Sequence, residues 1–274
     1  MRSGDRPLFP TSCALVITCT LIFFACDSTT SPRLEDAGGG VSASIAEPGA
    51  ATVNRALKFS ASYVRVPDNN LLDLTSTWTL EAWVKPDDAS TGSDQDIISK
   101  WAGIATASYI LQIDGTGKLR LAIANGATVR VIISNGTLGD RTWHHVGATF
   151  SNGTVKLYVN GALDKTVTGV PTPLVSTEPV AFGREGSFAG GTFKGLIDEV
   201  RIWNVMRSGS QIARSLTKRL QGSETGLVGY WRFDEGTGQV AADATGHGLN
   251  GRLGDTTGGD AADPSWVTTA APVF

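Results

Sequence analysis

The chain has 274 residues, with 23 Lys and Arg against 26 Asp and Glu, which gives a formal net charge of −3 at pH 7. The basic residues form no run. Nucleic-acid binding requires a concentrated cationic face, so nucleic acid is excluded as an expected partner. Once a leader and a linker are set aside, the remaining length is at the upper end for one all-β domain.

The first 25 residues predict a secretory signal. Arg2 and Arg6 precede an apolar run from Ala14 to Phe24. That run is too short to span a bilayer comfortably, and this pattern is typical of a segment that directs export. Residues 26–52 are rich in Gly, Ser and Ala and lack the apolar content to order themselves, so we predict a disordered tether there.

Cys26 is the single cysteine that remains after this signal, because Cys13 and Cys19 lie within it. An intramolecular disulfide is therefore excluded in the mature chain. The segment Phe23–Cys26, with the sequence FFAC, resembles a bacterial lipobox in which Cys26 is the lipidated residue. Acyl chains on it would hold the protein at the cell envelope. The two aromatic residues depart from the usual lipobox, so ordinary signal-peptidase cleavage and an uncleaved anchor are the alternatives.

From Leu57 onward, the chain predicts short β-strands at close spacing. Segments of high β-propensity are separated by clusters of Gly, Asp, Asn, Pro and Ser. The predicted strands are Leu57–Ser60, Tyr63–Val66, Thr79–Val84, Ile97–Lys100, Tyr109–Ile113, Lys118–Ile123 and Thr128–Ile133. This pattern favours a β-sandwich over an alternating β/α fold.

The segment Arg141–Lys165 predicts two further alternating strands joined by a tight Ser-Asn-Gly turn. Asn160 and Gly161 then supply a two-residue turn of the kind that needs positive φ angles. His144 and His145 are neighbours on a strand and point to opposite faces, so they cannot both bind one metal ion. We expect one to face the core and one the surface.

One helix is predicted, at Ser208–Leu220. Ser208 or Ser210 can cap it, and apolar residues recur four positions apart within it. We expect it to pack on the edge of the sandwich.

Six segments resemble the LamG-like (laminin G-like, concanavalin A-like) jelly roll domain, and they occur in the order of that family. They are Tyr63–Pro67, Thr79–Pro86, Ile97–Lys100, Trp143–Val146, Leu157–Gly161 and Gly195–Trp203. The resemblance implies an all-β fold, a two-sheet antiparallel jelly roll sandwich with one short helix on its C-terminal side, over residues 53–222. It also implies a carbohydrate- or protein-binding module of secreted proteins, frequently with a structural calcium ion. It implies no reaction, because one sandwich hosts many functions.

Asp198 is the candidate calcium ligand. In several jelly rolls that resemble this one, the Asp at the start of the last strand binds calcium, and a carboxylate at a strand edge can do so together with backbone carbonyls. Further oxygens are available from Asp68, Asp73, Asp87 and Asp88. The alternative is that Asp198 pairs with Arg201 or faces solvent.

Some glycoside hydrolases have the same jelly roll fold. The sequence was therefore compared with the residue pattern that such enzymes require. Retaining hydrolysis requires two carboxyl groups about 5 Å apart, which strand residues two or four positions apart can supply. The expected Glu-x-Asp-x-x-Glu strand is absent from the sequence. The pairs Asp198-Glu199 and Asp234-Glu235 are adjacent and are expected to project to opposite faces. We therefore predict that the protein is not an enzyme.

Four residues are candidates for ligand binding. Gln112, Arg120 and Arg130 lie on the polar alternation of successive strands. Trp101 opens the loop 102–108, where an exposed indole could stack on a sugar, and the alternative is an indole that anchors the loop. Core positions are expected for the other strand tryptophans, which are Trp78, Trp83, Trp143, Trp203 and Trp231.

Residues 223–274 resemble the segment that usually precedes a LamG-like domain, yet here they follow it. We predict that Leu227–Phe233 and Leu249–Leu253 fold back as strands on the same sandwich and cover an open edge. The alternative is the loosely ordered remnant of a lost second repeat.

The function favoured by these observations is a non-catalytic recognition module of the cell envelope or of the secreted fraction, with a glycan or a glycoprotein as its partner. One alternative is a structural or adhesive envelope protein without a small ligand. The least favoured alternative is an enzyme similar to a glycoside hydrolase. A membrane contact is expected only through the lipid anchor.

Overall fold

The computed structural model describes residues 53–103, 105–126, 128–184 and 191–274. The predicted signal, the tether and Cys26 therefore lie outside the described residues. No described helix is long and apolar enough to cross a bilayer.

The described residues form β-strands and one short α-helix, α1, at Gly209–Ser215. The strands are β1 Ala56–Ser60, β2 Val64–Val66, β3 Thr77–Pro86, β4 Gln95–Lys100, β5 Tyr109–Ile113, β6 Lys118–Ala124, β7 Val129–Thr137, β8 His144–Ser151, β9 Thr154–Val159, β10 Ala162–Val167, β11 Val180–Phe182, β12 Lys194–Trp203, β13 Leu227–Trp231, β14 Val240–Ala241, β15 Gly251–Leu253 and β16 Ser265–Val267.

These strands form two antiparallel sheets, which confirms the predicted all-β jelly roll sandwich. Sheet A has the order β10-β9-β8-β3-β12-β1-β16, with β13 also paired to β12. Sheet B has the order β14-β15-β2-β11-β4-β5-β6-β7. Each sheet contributes one apolar face to a shared core. The central strands β3, β4, β5 and β12 are buried along almost their whole length, on both faces.

Aromatic side chains from both sheets meet in this core. The ring of Trp78 stacks on that of Phe150 with centroids 5.4 Å apart, and Trp231 meets Phe182 edge-on at 4.9 Å. Trp78 and Trp231 are completely buried, as expected. Trp83 and Trp203 are also buried, although in smaller clusters outside the main core.

The hairpins between β8, β9 and β10 follow the predicted turn chemistry. Asn152 and Gly153 have φ angles of 44° and 86°, and Asn160 and Gly161 have φ angles of 51° and 77°. Both pairs are thus in the left-handed region that Asn and Gly tolerate best.

Helix α1 is shorter than predicted. Ser208 caps it in a capping box with Gln211, but the helix ends at Ser215 instead of Leu220. Its end is bound by side chains of sheet A, because Arg201 donates to the Ser215 and Lys218 carbonyls at 3.1 and 2.8 Å. These contacts replace the next helical turn.

The C-terminal residues contribute strands to both sheets. In sheet A, β13 pairs with β12 and β16 pairs with β1. In sheet B, β15 pairs with β2 and β14 pairs with β15. The chain therefore adds pairing partners to strands that occur early in the sequence.

We expect Trp231→Ala to lower the free energy of unfolding by about 3–5 kcal/mol, because it leaves a large cavity beside Phe182. The matched control is Trp266→Ala on β16, whose indole is only half-buried and whose loss should cost clearly less. Urea denaturation of both variants measures the difference. Equal losses would contradict a core position for Trp231.

Candidate functional site

The outer face of sheet B is only partly accessible: Ala181 and Ser99 at its centre are completely buried, whereas depressions lie to either side of them. The register of the strand pairs places one residue from each strand in a row across this face. The row runs Val240, Arg252, Arg65, Ala181, Ser99, Ile110, Ala122 and Val131. Two depressions lie along it, one over β4 to β7 and one over β14, β15 and β2.

The first depression, which we call the Trp101 pocket, has a volume of about 230 Å³. It is lined by Asp94, Asp96, Trp101, Ile110, Gln112, Arg120, Ala122, Val129 and Gly191. Three of the four predicted ligand-binding residues, Trp101, Gln112 and Arg120, are thus brought together.

Trp101 forms the apolar part of this pocket. Its indole packs in a small cluster with Ile110 and Ala122 and is only 9% exposed, so it does not stand in solvent. The small side chains of Ala107, Ala122 and Ala124 leave room for the ring to lie on the sheet. The part of Trp101 that remains accessible faces the pocket.

The polar part of the pocket comes from three neighbouring strands. Gln112 on β5 lies opposite Asp96 on β4 and Arg120 on β6. The Arg120 guanidinium forms an ion pair with Asp94. The pocket therefore holds two carboxylates, one guanidinium and one carboxamide, an arrangement in which negative charge exceeds positive charge.

Sequence reasoning missed Asp94 and Asp96. Strand β4 begins at Gln95, two residues before the predicted start at Ile97, and a bulge between Asp96 and Ile98 interrupts its pairing with β5. A signal was present in the sequence: Asp94 and Asp96 are two positions apart, directly before the apolar residues of the predicted strand. This spacing could have indicated that both belong to one face of a longer strand.

Arg130 does not join this site. On β7 it pairs with the core residue Ile123, whereas Val131 pairs with Ala122 of the Trp101 pocket. Arg130 therefore lies on the opposite face of sheet B from Gln112 and Arg120. The expectation that Arg130 shares a face with Gln112 and Arg120 was therefore wrong, because a shift of one position moves every side chain of a strand to its other face.

Asp198 does not fit a calcium site. Its carboxyl group is completely buried and accepts hydrogen bonds from the backbone amides of Glu199 at 2.8 Å and Ala271 at 2.9 Å. Burial, and next the nearby charge of Glu199, raise the pKa of Asp198 well above its usual range. Calcium requires about six to eight oxygen ligands. The group that faces Asp198 Oδ2 is the Ala271 amide, which is a donor and not an oxygen ligand.

The other aspartates considered for calcium have different partners. Asp68 and Asp73 lie 2.5 and 3.5 Å from the buried ammonium of Lys100. Asp87 pairs with Lys58, and Asp88 accepts from the Ser90 amide at 2.9 Å. No three His, Cys, Asp or Glu side chains of the described residues are grouped to hold a metal ion. A structural calcium stays a prediction from the resemblance alone.

The pair Asp198-Glu199 departs from the expected geometry. Glu199 has a φ of 51°, and the register with β3 passes from Asp198 opposite Trp83 to Arg201 opposite Glu81. This is a β-bulge, which turns residues 198, 199 and 201 toward the same side of sheet A. The expectation that the two carboxyl groups project to opposite faces was therefore wrong.

These carboxyl groups are nevertheless enclosed. Glu199 is 1% exposed, receives a hydrogen bond from Arg201 at 2.5 Å and another from the Tyr230 hydroxyl at 2.6 Å. A substrate on the protein surface has no contact with them in this arrangement.

A second buried carboxylate, Glu81, lies in the same layer. Arg207 donates to it at 2.6 Å, and Nε2 of His145 lies 3.2 Å away. Burial alone would raise the pKa of Glu81, but the contact with His145 and the charges of Arg207 and Arg201 lower it to about 2. Burial lowers the pKa of His145, so Arg207 supplies the charge that balances Glu81 at neutral pH.

We expect the stability contributed by Glu81 to be lost as the pH falls from about 4.5 to about 2. The unfolded chain takes up a proton near its ordinary pKa of 4.5, whereas the folded chain keeps the carboxylate down to about 2. The unfolded state therefore binds more protons in this window, and acid favours unfolding by about 3 kcal/mol from this group.

Urea denaturation across this pH window should show a steeper loss of stability for the wild type than for Glu81→Gln. A carboxyl titration by carbon NMR in the wild type gives a second measurement that does not depend on the folding of the variant. An ordinary pKa for Glu81 in the folded protein would contradict the expectation.

A protein-family model described as the concanavalin A-like lectin/glucanases superfamily matches residues 59–213. No curated protein sequence matches the chain significantly. Among solved structures, one from Bacteroides ovatus, described as a candidate carbohydrate binding protein, superposes with a TM-score of 0.65 at 23% identity. That alignment covers 82% of this chain and 62% of the other, so this chain spans about three fifths of its length. At this identity the likeness shows a shared fold.

Two further structures are similar over part of the chain. The CBM40 module of a Ruminococcus gnavus sialidase, solved with α2,3-sialyllactose, has a TM-score of 0.49 at 14% identity and covers 60% of this chain and 98% of that module. Domain 4 of a Geobacillus stearothermophilus arabinanase, solved with arabinotriose, has a TM-score of 0.45 at 23% identity and covers 58% of this chain and 75% of that domain.

Proposed function

Because this chain belongs to the concanavalin A-like lectin/glucanase superfamily, we propose that it is a non-catalytic carbohydrate-binding protein with its glycan site in the Trp101 pocket. The observation that carries the proposal is the convergence of an indole edge, two carboxylates, a guanidinium and a carboxamide on one sheet face. The lectin family match and the fold shared with a candidate carbohydrate binding protein from Bacteroides ovatus support carbohydrate as the ligand class, and the pocket chemistry supports the location of the site.

The pocket matches the chemistry of a neutral sugar. Sugar hydroxyl groups both donate and accept hydrogen bonds, and Gln112 can do the same. The carboxylates of Asp94 and Asp96 accept, while the Arg120 guanidinium donates. The accessible edge of Trp101 offers an apolar surface for the ring carbons. A volume of about 230 Å³ suits one sugar ring of a longer chain.

Binding without cleavage is the form of the proposal that the side chains favour. The neighbouring carboxyl groups Asp198 and Glu199 are enclosed in sheet A. In the Trp101 pocket, Asp94 is held in an ion pair with Arg120, whereas a general acid must carry a proton to give to the leaving group. Incubation with glycans that bind, followed by product analysis, tests for hydrolysis directly.

The proposal also places the protein outside the cytoplasm, attached to the cell envelope through Cys26. Support comes from the apolar run Ala14–Phe24 and the FFAC sequence that ends in Cys26. We expect Cys26→Ser to abolish labelling with a radioactive fatty acid and to release the protein from the membrane fraction. Cys13→Ser and Cys19→Ser are the matched controls and should keep the label. A wild-type chain without label would contradict lipidation.

We expect a glycan array, run with and without calcium, to identify neutral oligosaccharide ligands. Calorimetry with the strongest ligand should then show at least about tenfold weaker binding for Gln112→Ala and Arg120→Ala, because each substitution leaves a sugar hydroxyl without its partner. Arg130→Ala is the matched control, since Arg130 lies on the other face of the same sheet.

Unchanged affinity in the first two variants, or an equal loss in Arg130→Ala, would reject the Trp101 pocket as the site. If no glycan on the array binds and a partner protein does, the structural or adhesive alternative would be favoured. Circular dichroism of each variant shows whether it is folded.

A further inference from the structure

The second depression on sheet B, which we call the arginine cleft, has a volume of about 700 Å³. Its lining combines two guanidinium groups (Arg65 and Arg252), two carboxamides (Gln239 and Asn250), the carboxylate of Asp68 and apolar walls formed by Pro67, Pro179 and Val240. The volume lies within the range of about 300–1,000 Å³ that is usual for small-ligand sites.

The two arginines are direct neighbours across strands β2 and β15. The register pairs Arg65 with Arg252, which places their Cβ atoms about 4.5–5.5 Å apart on the same face. Two like charges in such positions repel each other and destabilise the pairing. A bound anion would remove this repulsion.

The described part of the chain does not supply that anion. Neither Arg65 nor Arg252 takes part in an ion pair among the described residues. The Nε atom of Arg252 is buried without a hydrogen-bond partner there. Asp68 also lines the cleft, but its carboxylate is bound by the buried ammonium of Lys100.

The surroundings of the cleft add one guanidinium and one carboxylate. The guanidinium of Arg184 lies 3.6 Å above the ring of Tyr63, whose hydroxyl donates to Asp255. The carboxamide of Gln239 donates to Asp263 at 2.8 Å, while its Oε1 atom has no partner among the described residues. The cleft thus offers guanidinium donors, while the Gln239 Oε1 atom is enclosed.

We propose that the arginine cleft is a second binding site that takes a sugar bearing a carboxylate, a uronic acid within an oligosaccharide. Paired guanidinium groups bind a carboxylate through short charge-assisted hydrogen bonds, often in bidentate geometry. The walls formed by Pro67, Pro179 and Val240 face the ring carbons. That the carboxylate belongs to a sugar rests on the function proposed above, whereas the binding of an anion does not.

The arginine cleft differs in charge from the Trp101 pocket on the same face. Among the described lining residues, the Trp101 pocket has two carboxylates and one guanidinium, whereas the cleft has one carboxylate and two guanidinium groups. Arg65 and Ile110 lie in the same row across the sheet, three strands apart, which corresponds to about 14 Å.

The test uses calorimetry on the purified protein with tetragalacturonic acid and with its methyl ester, in which the charge is removed and the sugar kept. We expect the acid to bind, with an affinity that falls as salt is added, and the ester to bind at least tenfold more weakly. The double variant Arg65→Gln/Arg252→Gln should lose at least tenfold in affinity for the acid. It should melt no lower than the wild type, because it removes a repulsion.

Arg130→Gln is the matched control for loss of one arginine elsewhere on sheet B and should bind the acid like the wild type. Arg120→Ala should also keep its affinity for the acid while losing neutral glycans. If tetragalacturonic acid does not bind and neutral glycans still bind in an Arg120-dependent way, the cleft proposal alone is rejected. If the acid binds and neutral glycans do not, the Trp101 pocket alone is rejected.

Three results would overturn the assignment of the cleft. The first is equal binding of the acid and the ester, and the second is equal binding by the wild type and the double variant. The third is arginine-dependent binding of a sulfated oligosaccharide, an acidic peptide or vesicles with anionic lipid, in the absence of binding to tetragalacturonic acid.

Discussion

The buried guanidinium of Arg201 determines how sheet A is covered. A buried charge costs several kcal/mol unless it is paired and hydrogen-bonded, and Arg201 meets this requirement with Glu199 and the carbonyls of Ser215 and Lys218. Glu199 reaches it only because the bulge in β12 turns its side chain to that face. The end of α1 must then lie against sheet A. The part of the outer face of sheet A around β3, β12 and β13 is consequently covered by the protein itself.

This covering leaves the outer face of sheet B for recognition. Each strand of sheet B contributes one residue to the row that crosses this face, so side chains far apart in sequence become neighbours at intervals of one strand spacing. The resulting surface changes in character along the row, from two arginines at one end to an apolar cluster beside carboxylates at the other. The same face of sheet B therefore carries both proposed sites, the arginine cleft and the Trp101 pocket, which differ in their charged groups.

The alternation of side chains between the two faces of a single strand could be predicted from the sequence. The register between neighbouring strands could be predicted only in part. Strand β5 has the predicted bounds Tyr109–Ile113, and Gln112 and Arg120 were correctly expected to share a surface. Arg130 was assigned to the wrong face because register along β7 is set by pairing with β6, which local propensity does not encode. The bulge at Glu199 needs a left-handed φ at a non-glycine residue and therefore leaves no glycine signal.

The arginine cleft could not be found from sequence because Arg65 and Arg252 are distant in the chain and meet only through the pairing of β2 with β15. The family match ends at residue 213, so it contains every residue that lines the Trp101 pocket but only part of the cleft. Arg252, Gln239 and Val240 come from the strands and turns that follow. The segment that closes one edge of sheet B therefore also builds the cleft. A relative with the same matched domain and a different C-terminal segment would keep the pocket and lose the paired arginines.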